Sequence, residues 1–190
     1  SANAHVRIFS ETGELLKNLF PYGEVEGVKE GAKVAVGDFT GDEIADIAVI
    51  PFGAKSNLQV YAFTNGWSEP ERLAWTFVYD DGLRIGSQVS AGDVTGDLID
   101  EIVVWNRKRS PNVQVFSFDD ATKTLTQIAY FMPYPHALPN GADVVLADLD
   151  GSGTKEIITV PSDDTSIANM QLYTYDTSLQ GTLAGTRRNM

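Results

Sequence analysis

The acidic, glycine-centred stretch that begins at Asp38 is written again from Asp93 and again from Asp148, an interval of 55 residues both times. The copies read Asp38-Phe-Thr-Gly-Asp-Glu-Ile-Ala-Asp46, Asp93-Val-Thr-Gly-Asp-Leu-Ile-Asp-Glu101 and Asp148-Leu-Asp-Gly-Ser-Gly-Thr-Lys-Glu156. A fixed period means that each unit is one supersecondary element stacked on the next. The register extends beyond the loops. Gly31, Gly86 and Gly141 stand seven residues ahead of each first Asp. Alternating runs lead into the loops (Lys33-Val-Ala-Val-Gly, Gln88-Val-Ser-Ala-Gly, Asp143-Val-Val-Leu-Ala) and read as short strands. Near-continuous apolar runs follow (Ile47-Ala-Val-Ile, Ile102-Val-Val-Trp, Ile157-Ile-Thr-Val), suited to strands buried on both faces.

A third strand follows as Leu58-Gln-Val-Tyr, Val113-Gln-Val-Phe and Met170-Gln-Leu-Tyr, with an orphan copy at Val6-Arg-Ile-Phe. The fourth is aromatic: Leu73 to Tyr79, Ile128 to Tyr134, and an orphan copy from Leu15 to Tyr22. The connections carry Gly, Pro, Asn and paired Asp, as hairpin turns do. Four short strands per unit predict an all-β chain of β-propeller blades. The partition is 5–22 as a partial blade, 31–80 and 86–134 as complete blades, 141–176 as a further partial blade and 177–190 as a polar tail, about three and a half blades in a single array. Propellers close with about four to eight blades. Three readings therefore stand: a piece of a longer propeller, a homodimer completing a ring of about seven blades, or an open array.

Within each loop, oxygen-bearing side chains recur at positions 1, 3, 5 and 9. The sets are Asp38, Thr40, Asp42 and Asp46; Asp93, Thr95, Asp97 and Glu101; Asp148, Asp150, Ser152 and Glu156. The backbone carbonyls of Ile44, Ile99 and Thr154 at position 7 can add a further ligand. A hard cation takes six to eight oxygens, and no His or Cys lies in any loop, so the expected ion is Ca²⁺ at up to three structural sites. Crowded carboxylates also repel one another unless a cation neutralises them. Thr at position 3 is a weaker ligand than Asp, which points to affinities of the order of 10⁻⁴ to 10⁻³ M. Asp, Thr and Gly also make good turns without any metal, and that simpler role stands beside the cage.

These repeats resemble FG-GAP (VCBS-type) repeats, the blades of integrin α-subunit propellers and of many bacterial surface proteins. The resemblance rests on Val-Gly-Asp38-Phe-Thr-Gly-Asp42 through Ile47-Ala-Val, on Ala-Gly-Asp93-Val-Thr-Gly-Asp97 through Ile102-Val-Val, and on Ala-Asp148-Leu-Asp150-Gly through Ile157. It implies a calcium-stabilised propeller, usually extracellular or at the cell surface, that serves adhesion or recognition of a protein or glycan ligand. Thr40, Thr95 and Ser152 depart from the family's acids, and the Phe-Gly pair survives only as Phe52-Gly53.

Composition narrows the remaining classes. A net charge of −12 repels phosphate backbones, which excludes nucleic acid as the expected partner. No apolar run approaches the roughly 20 residues a membrane helix needs, so no membrane insertion is expected. Zero cysteines exclude disulfides and thiol chemistry. The two histidines, His5 and His136, lack a repeated partner. The pairs Asp80-Asp81, Asp119-Asp120 and Asp163-Asp164 read as turns, and Arg107-Lys-Arg109 reads as a solvated loop. The chain is therefore expected to be non-enzymatic. A lectin-like domain using exposed aromatics such as Trp67 is the alternative, and a polysaccharide-active enzyme on the same scaffold the remoter one. The recurrent Tyr22, Tyr79 and Tyr134 are expected in packing between blades.

Overall fold

The computed structural model describes residues 4–23, 28, 30–64, 69–79, 86–107, 112–134, 138, 140–162, 169–176 and 183–184. Among these there is no helix, and the strands form four antiparallel sheets. The first holds only β1 (Val6–Phe9) and β2 (Leu15–Leu19). The second runs β3 (Ala32–Gly37), β4 (Asp46–Pro51), β5 (Asn57–Thr64) and β6 (Glu69–Phe77), each strand paired with the next. The third repeats this order with β7 (Ser87–Gly92), β8 (Glu101–Asn106), β9 (Val113–Asp119) and β10 (Thr124–Phe131). The fourth does so with β11 (Ala142–Ala147), β12 (Glu156–Pro161), β13 (Gln171–Tyr175) and β14 (Leu183–Ala184).

Two strand expectations need correction. The aromatic strands β6 and β10 begin about four residues earlier than their apolar runs and end before Tyr79 and Tyr134. The mostly polar segments Glu69 to Arg72 and Thr124 to Gln127 still pair, because backbone groups, not side chains, form the ladder. The polar tail also supplies a fourth strand, since β14 takes up the edge of β13 through Thr174↔Ala184 and Tyr175↔Leu183.

The sheets pack face to face in chain order. All residues of β4 and β8 are buried, and strand alternation assigns them to opposite sides. Ile47 and Val49 pack with Leu19, Tyr22 and Tyr61, whereas Ala48 and Ile50 pack with Val89, Ile102 and Val104 of the next sheet. Val103 and Trp105 in turn meet Val144 and Ile157. Each fully buried Val or Ile contributes roughly 1.5–3 kcal/mol, so the double-sided central strands carry much of the stability.

The recurrent tyrosines join sheet to sheet. Each follows the end of a fourth strand and donates its hydroxyl to the carbonyl of an Asn at, or just ahead of, the start of the next sheet's third strand. Tyr22 reaches Asn57 at 3.0 Å, Tyr79 reaches Asn112 at 2.8 Å and Tyr134 reaches Asn169 at 2.9 Å. Burial pushes all three hydroxyl pKa values up, which keeps them as neutral donors. The expectation of inter-sheet packing holds for these residues.

A related pair recurs with one exception. Tyr61 donates to Gln59 Oε1 and Tyr173 to Gln171 Oε1, both two residues back on the third strand. In the third sheet the tyrosine is Phe116, and the buried Gln114 Oε1 lacks a partner. Phe116→Tyr is expected to satisfy that oxygen and raise stability by about 1 kcal/mol, read as a higher urea midpoint at unchanged slope.

Candidate metal centre

All three loops close by one hydrogen-bond scheme. The position-1 carboxylate turns back on its own loop and accepts backbone N–H groups from both sides of the bend. Asp38 Oδ1 accepts from Gly41 at 2.7 Å and its Oδ2 from Glu43 at 2.8 Å. Asp93 takes Gly96 and Leu98, and Asp148 takes Gly151 and Gly153, in the same way. This path needs a left-handed residue at position 4, and Gly41, Gly96 and Gly151 have φ of 77°, 84° and 78°. Position 6 is also left-handed, at the non-glycine residues Glu43 and Leu98 in two loops and at Gly153 in the third. The turn role weighed for these residues is thus fully present.

The position-9 acid opens the second strand and is buried: Asp46 and Glu101 are 2% exposed and Glu156 4%. Each accepts the position-2 amide, from Phe39 at 3.1 Å, Val94 at 3.0 Å and Leu149 at 2.8 Å. Burial raises Asp46 to a pKa of about 6, and the like charges of Asp42 and Asp38 push the same way. Glu101 rises to about 7 from burial, reinforced by Asp97 and Asp93. A carboxylate held in this state gains from a nearby cation, which would replace the missing solvation and cancel the repulsion.

The third loop gathers the most complete set. One carboxylate oxygen each from Asp148, Asp150 and Glu156 lie within 4.8 Å of one another. Ser152 Oγ stands 3.4 Å from the Thr154 carbonyl, which it approaches as donor. Among the described residues no other trio of acids converges so closely. The first two loops have Thr40 and Thr95 where the third has Asp150. Their position-5 acids cap the bend instead, Asp42 Oδ1 accepting from Ile44 at 2.9 Å and Asp97 Oδ1 from Ile99 at 3.0 Å. The oxygens of Asp148, Asp150, Ser152, Glu156 and the Thr154 carbonyl are hard donors and fit Ca²⁺ by type.

The loops also dock on one another, which the loop pattern did not reveal. Asp100, at position 8 of the second loop, donates its N–H to the Asp38 carbonyl at 2.8 Å, and its Oδ2 accepts the Asp38 N–H at 3.0 Å. Lys155, at position 8 of the third loop, donates to the Asp93 carbonyl at 2.7 Å. The signal was present one residue ahead of each loop. A Cβ on Gly37 would meet Asp100 Oδ2 at 2.6 Å and one on Gly92 would meet Lys155 Cδ at 2.5 Å, whereas the third copy carries Ala147.

Other residues singled out from the sequence take plain roles. His5 stacks on Phe20 and bonds Asn18 at 2.7 Å. Asp119 Oδ1 accepts the Ala121 and Thr122 amides in a turn. Arg107 pairs with Asp143 at 3.4 Å on the surface. Trp105 is buried, while Trp75 is 54% exposed beside Phe77. Trp67, His136, Lys108, Arg109 and the pairs Asp80-Asp81 and Asp163-Asp164 lie outside the described residues. No family model matches the chain, and a search of curated proteins finds no match.

Proposed function

We propose that this chain is a non-enzymatic recognition or adhesion module of the FG-GAP/VCBS type, with its sheets arranged as propeller blades and calcium bracing their first hairpins. The observation that carries the reading is the convergence of Asp148, Asp150 and Glu156 in a loop frame shared by all three repeats. In the third loop the ion would be held by those three carboxylates with Ser152 and the Thr154 carbonyl. In the others it would be held by Asp38, Thr40, Asp42 and Asp46, and by Asp93, Thr95, Asp97 and Glu101, with the Ile44 and Ile99 carbonyls. Bound there, it ties β3 to β4, β7 to β8 and β11 to β12. The setting that suits such affinities is extracellular or at the cell surface.

Binding only to the folded state stabilises it by mass action. At 1 mM Ca²⁺ and a Kd near 10⁻⁴ M, each site contributes about 1.4 kcal/mol. With all three sites filled, chelation is therefore expected to lower Tm by roughly 8–17 °C, reversed by excess Ca²⁺. Asp150→Asn should remove the largest single share of that shift with the far-ultraviolet spectrum unchanged. A Tm indifferent to EDTA and to added Ca²⁺ would sink the metal reading.

A lectin-like reading is favoured by one set of side chains. Trp75, Phe77 and Tyr130 are all exposed on the outer strands β6 and β10, where aromatic faces can stack on sugar rings. A glycan array read with and without Ca²⁺ separates this from protein recognition. Loss of all glycan signal in Trp75→Ala would assign the contact.

A further inference from the structure

The acidic loops do not stand apart. Each of the last two rests on the loop before it, through residues that sit between its own candidate ligands. In the second loop Ile99, with its position-7 carbonyl, and Glu101 at position 9 flank Asp100. Asp100 donates its N–H to the Asp38 carbonyl at 2.8 Å, and its Oδ2 accepts the Asp38 N–H at 3.0 Å. Ile99 lies over the turn glycine of the first loop, where a Cβ on Gly41 would meet its Cδ1 at 3.1 Å. Asp38 and Gly41 are the two residues that shape that loop, since Asp38 Oδ1 accepts the Gly41 N–H at 2.7 Å. The second loop therefore holds both backbone polar groups of the acid that leads the first.

The third loop repeats this junction with one part missing. Lys155 donates its N–H to the Asp93 carbonyl at 2.7 Å, and Thr154 Oγ1 lies 2.9 Å from where a Cβ on Gly96 would stand. A lysine side chain has no acceptor to offer the Asp93 N–H, and its stem lies against Gly92 instead. One chain thus carries the same junction with a carboxylate clamp and without it.

We propose that Asp100 is a positioning residue that makes the first loop's affinity for calcium depend on occupancy of the second. The inference rests on the calcium reading of these loops. Ordering positions 7 and 9 of the second loop around a cation fixes Asp100 between them. The clamp on Asp38 is then set before the first loop binds, so that loop gives up less conformational freedom on binding. Linkage makes the effect reciprocal, and filling the first loop tightens the second by the same factor. Repulsion between two bound cations opposes the coupling, but the loop tips face water, where salt screens it. The Asp100 carboxylate also places negative charge beside both loops. Asparagine keeps an acceptor oxygen without that charge, which separates the clamp from the field.

Calcium is titrated into the isotope-labelled full chain and followed in amide correlation spectra. The amides of Gly41, Gly96 and Gly151 report the three loops one by one, because each donates to its own position-1 carboxylate. Disabling the second loop with Asp97→Asn should raise the Gly41 midpoint about fivefold or more. In an Asp100→Ala background the same change should move it less than about twofold, whereas an Asp100→Asn background should keep the full shift. Disabling the third loop with Asp150→Asn should move the Gly96 midpoint by a smaller factor, since that junction lacks the carboxylate. A Gly41 midpoint indifferent to Asp97→Asn makes the loops independent and overturns the inference, while the metal reading stands. Loss of the shift in Asp100→Asn as well as in Asp100→Ala assigns the effect to charge and overturns the positioning role. Glycine amides that do not respond to calcium at all overturn both readings.

Discussion

Gly141→Ala will cost several kcal/mol, whereas Gly31→Ala, the same substitution at the same repeat position, will cost about 1 kcal/mol. Gly31, Gly86 and Gly141 all hold left-handed φ, at 85°, 71° and 72°. Each carbonyl accepts the amide that follows the second strand, from Phe52, Arg107 and Ser162. Conformational strain is therefore common to the three, about 1–2 kcal/mol for a residue with a Cβ. Their surroundings differ. A Cβ at Gly31 meets nothing within 4 Å, and one at Gly86 meets the Phe52 ring at 3.2 Å. At Gly141 it lies 2.4 Å from the Arg107 carbonyl carbon and oxygen, which cannot yield without moving the end of β8. Overpacking against backbone adds roughly 3 kcal/mol. Urea unfolding of the three alanine variants should rank them Gly31, Gly86, Gly141 in rising cost. Equal costs would mean that only backbone strain matters and that the sheets yield freely.

That ranking illustrates what the sequence displays and what it withholds. The period, the central strands and the hairpin loops were legible because they depend on residue type at fixed spacing. β4 and β8 are buried along their whole length, as their continuous apolar runs require. The tyrosine latches were legible on the donor side only. Their acceptors are backbone carbonyls of Asn57, Asn112 and Asn169, and a carbonyl leaves no mark in a sequence. The loop docking left a mark that spacing alone does not interpret: Gly at 37 and 92 against Ala at 147. The loop chemistry was only partly legible. Counting three carboxylates per loop treats position 5 as an inward ligand, yet Asp42 and Asp97 fold back to cap the bend. Asp150 at position 3 draws the third set together, and a threonine hydroxyl in its place leaves the other two loops more open.

The same buried acids make stability depend on pH in a direction that calcium should reverse. Without metal, Asp46 titrates near pH 6 and Glu101 near pH 7 in the folded chain, because burial disfavours their charged forms and neighbouring acids add to it. Unfolded, both would titrate in the ordinary carboxylate range near pH 4. Between about pH 4 and pH 7 the folded state therefore binds more protons than the unfolded one. Stability must fall as pH rises through that window. Asp119 and Asp150 have pKa values lowered by hydrogen bonds from Thr122 and Ser152, but they lie in water and oppose the trend only weakly. The metal-free chain should thus melt higher at pH 5 than at pH 7.5, by on the order of 3 kcal/mol in stability, or roughly 5–10 °C. Relief of the net charge of −12 acts in the same direction, so the paired change Asp46→Asn with Glu101→Gln isolates the site by flattening most of the slope. Saturating Ca²⁺ should invert the sign, since its ligands must be ionised and acid then displaces the cation. Melting curves at the two pH values, with EDTA and with Ca²⁺, provide the check. A metal-free chain that melts lower at pH 5 would overturn the assignment of neutral acids at position 9. A slope unchanged by Ca²⁺ would mean that these acids brace the hairpins by hydrogen bonds alone.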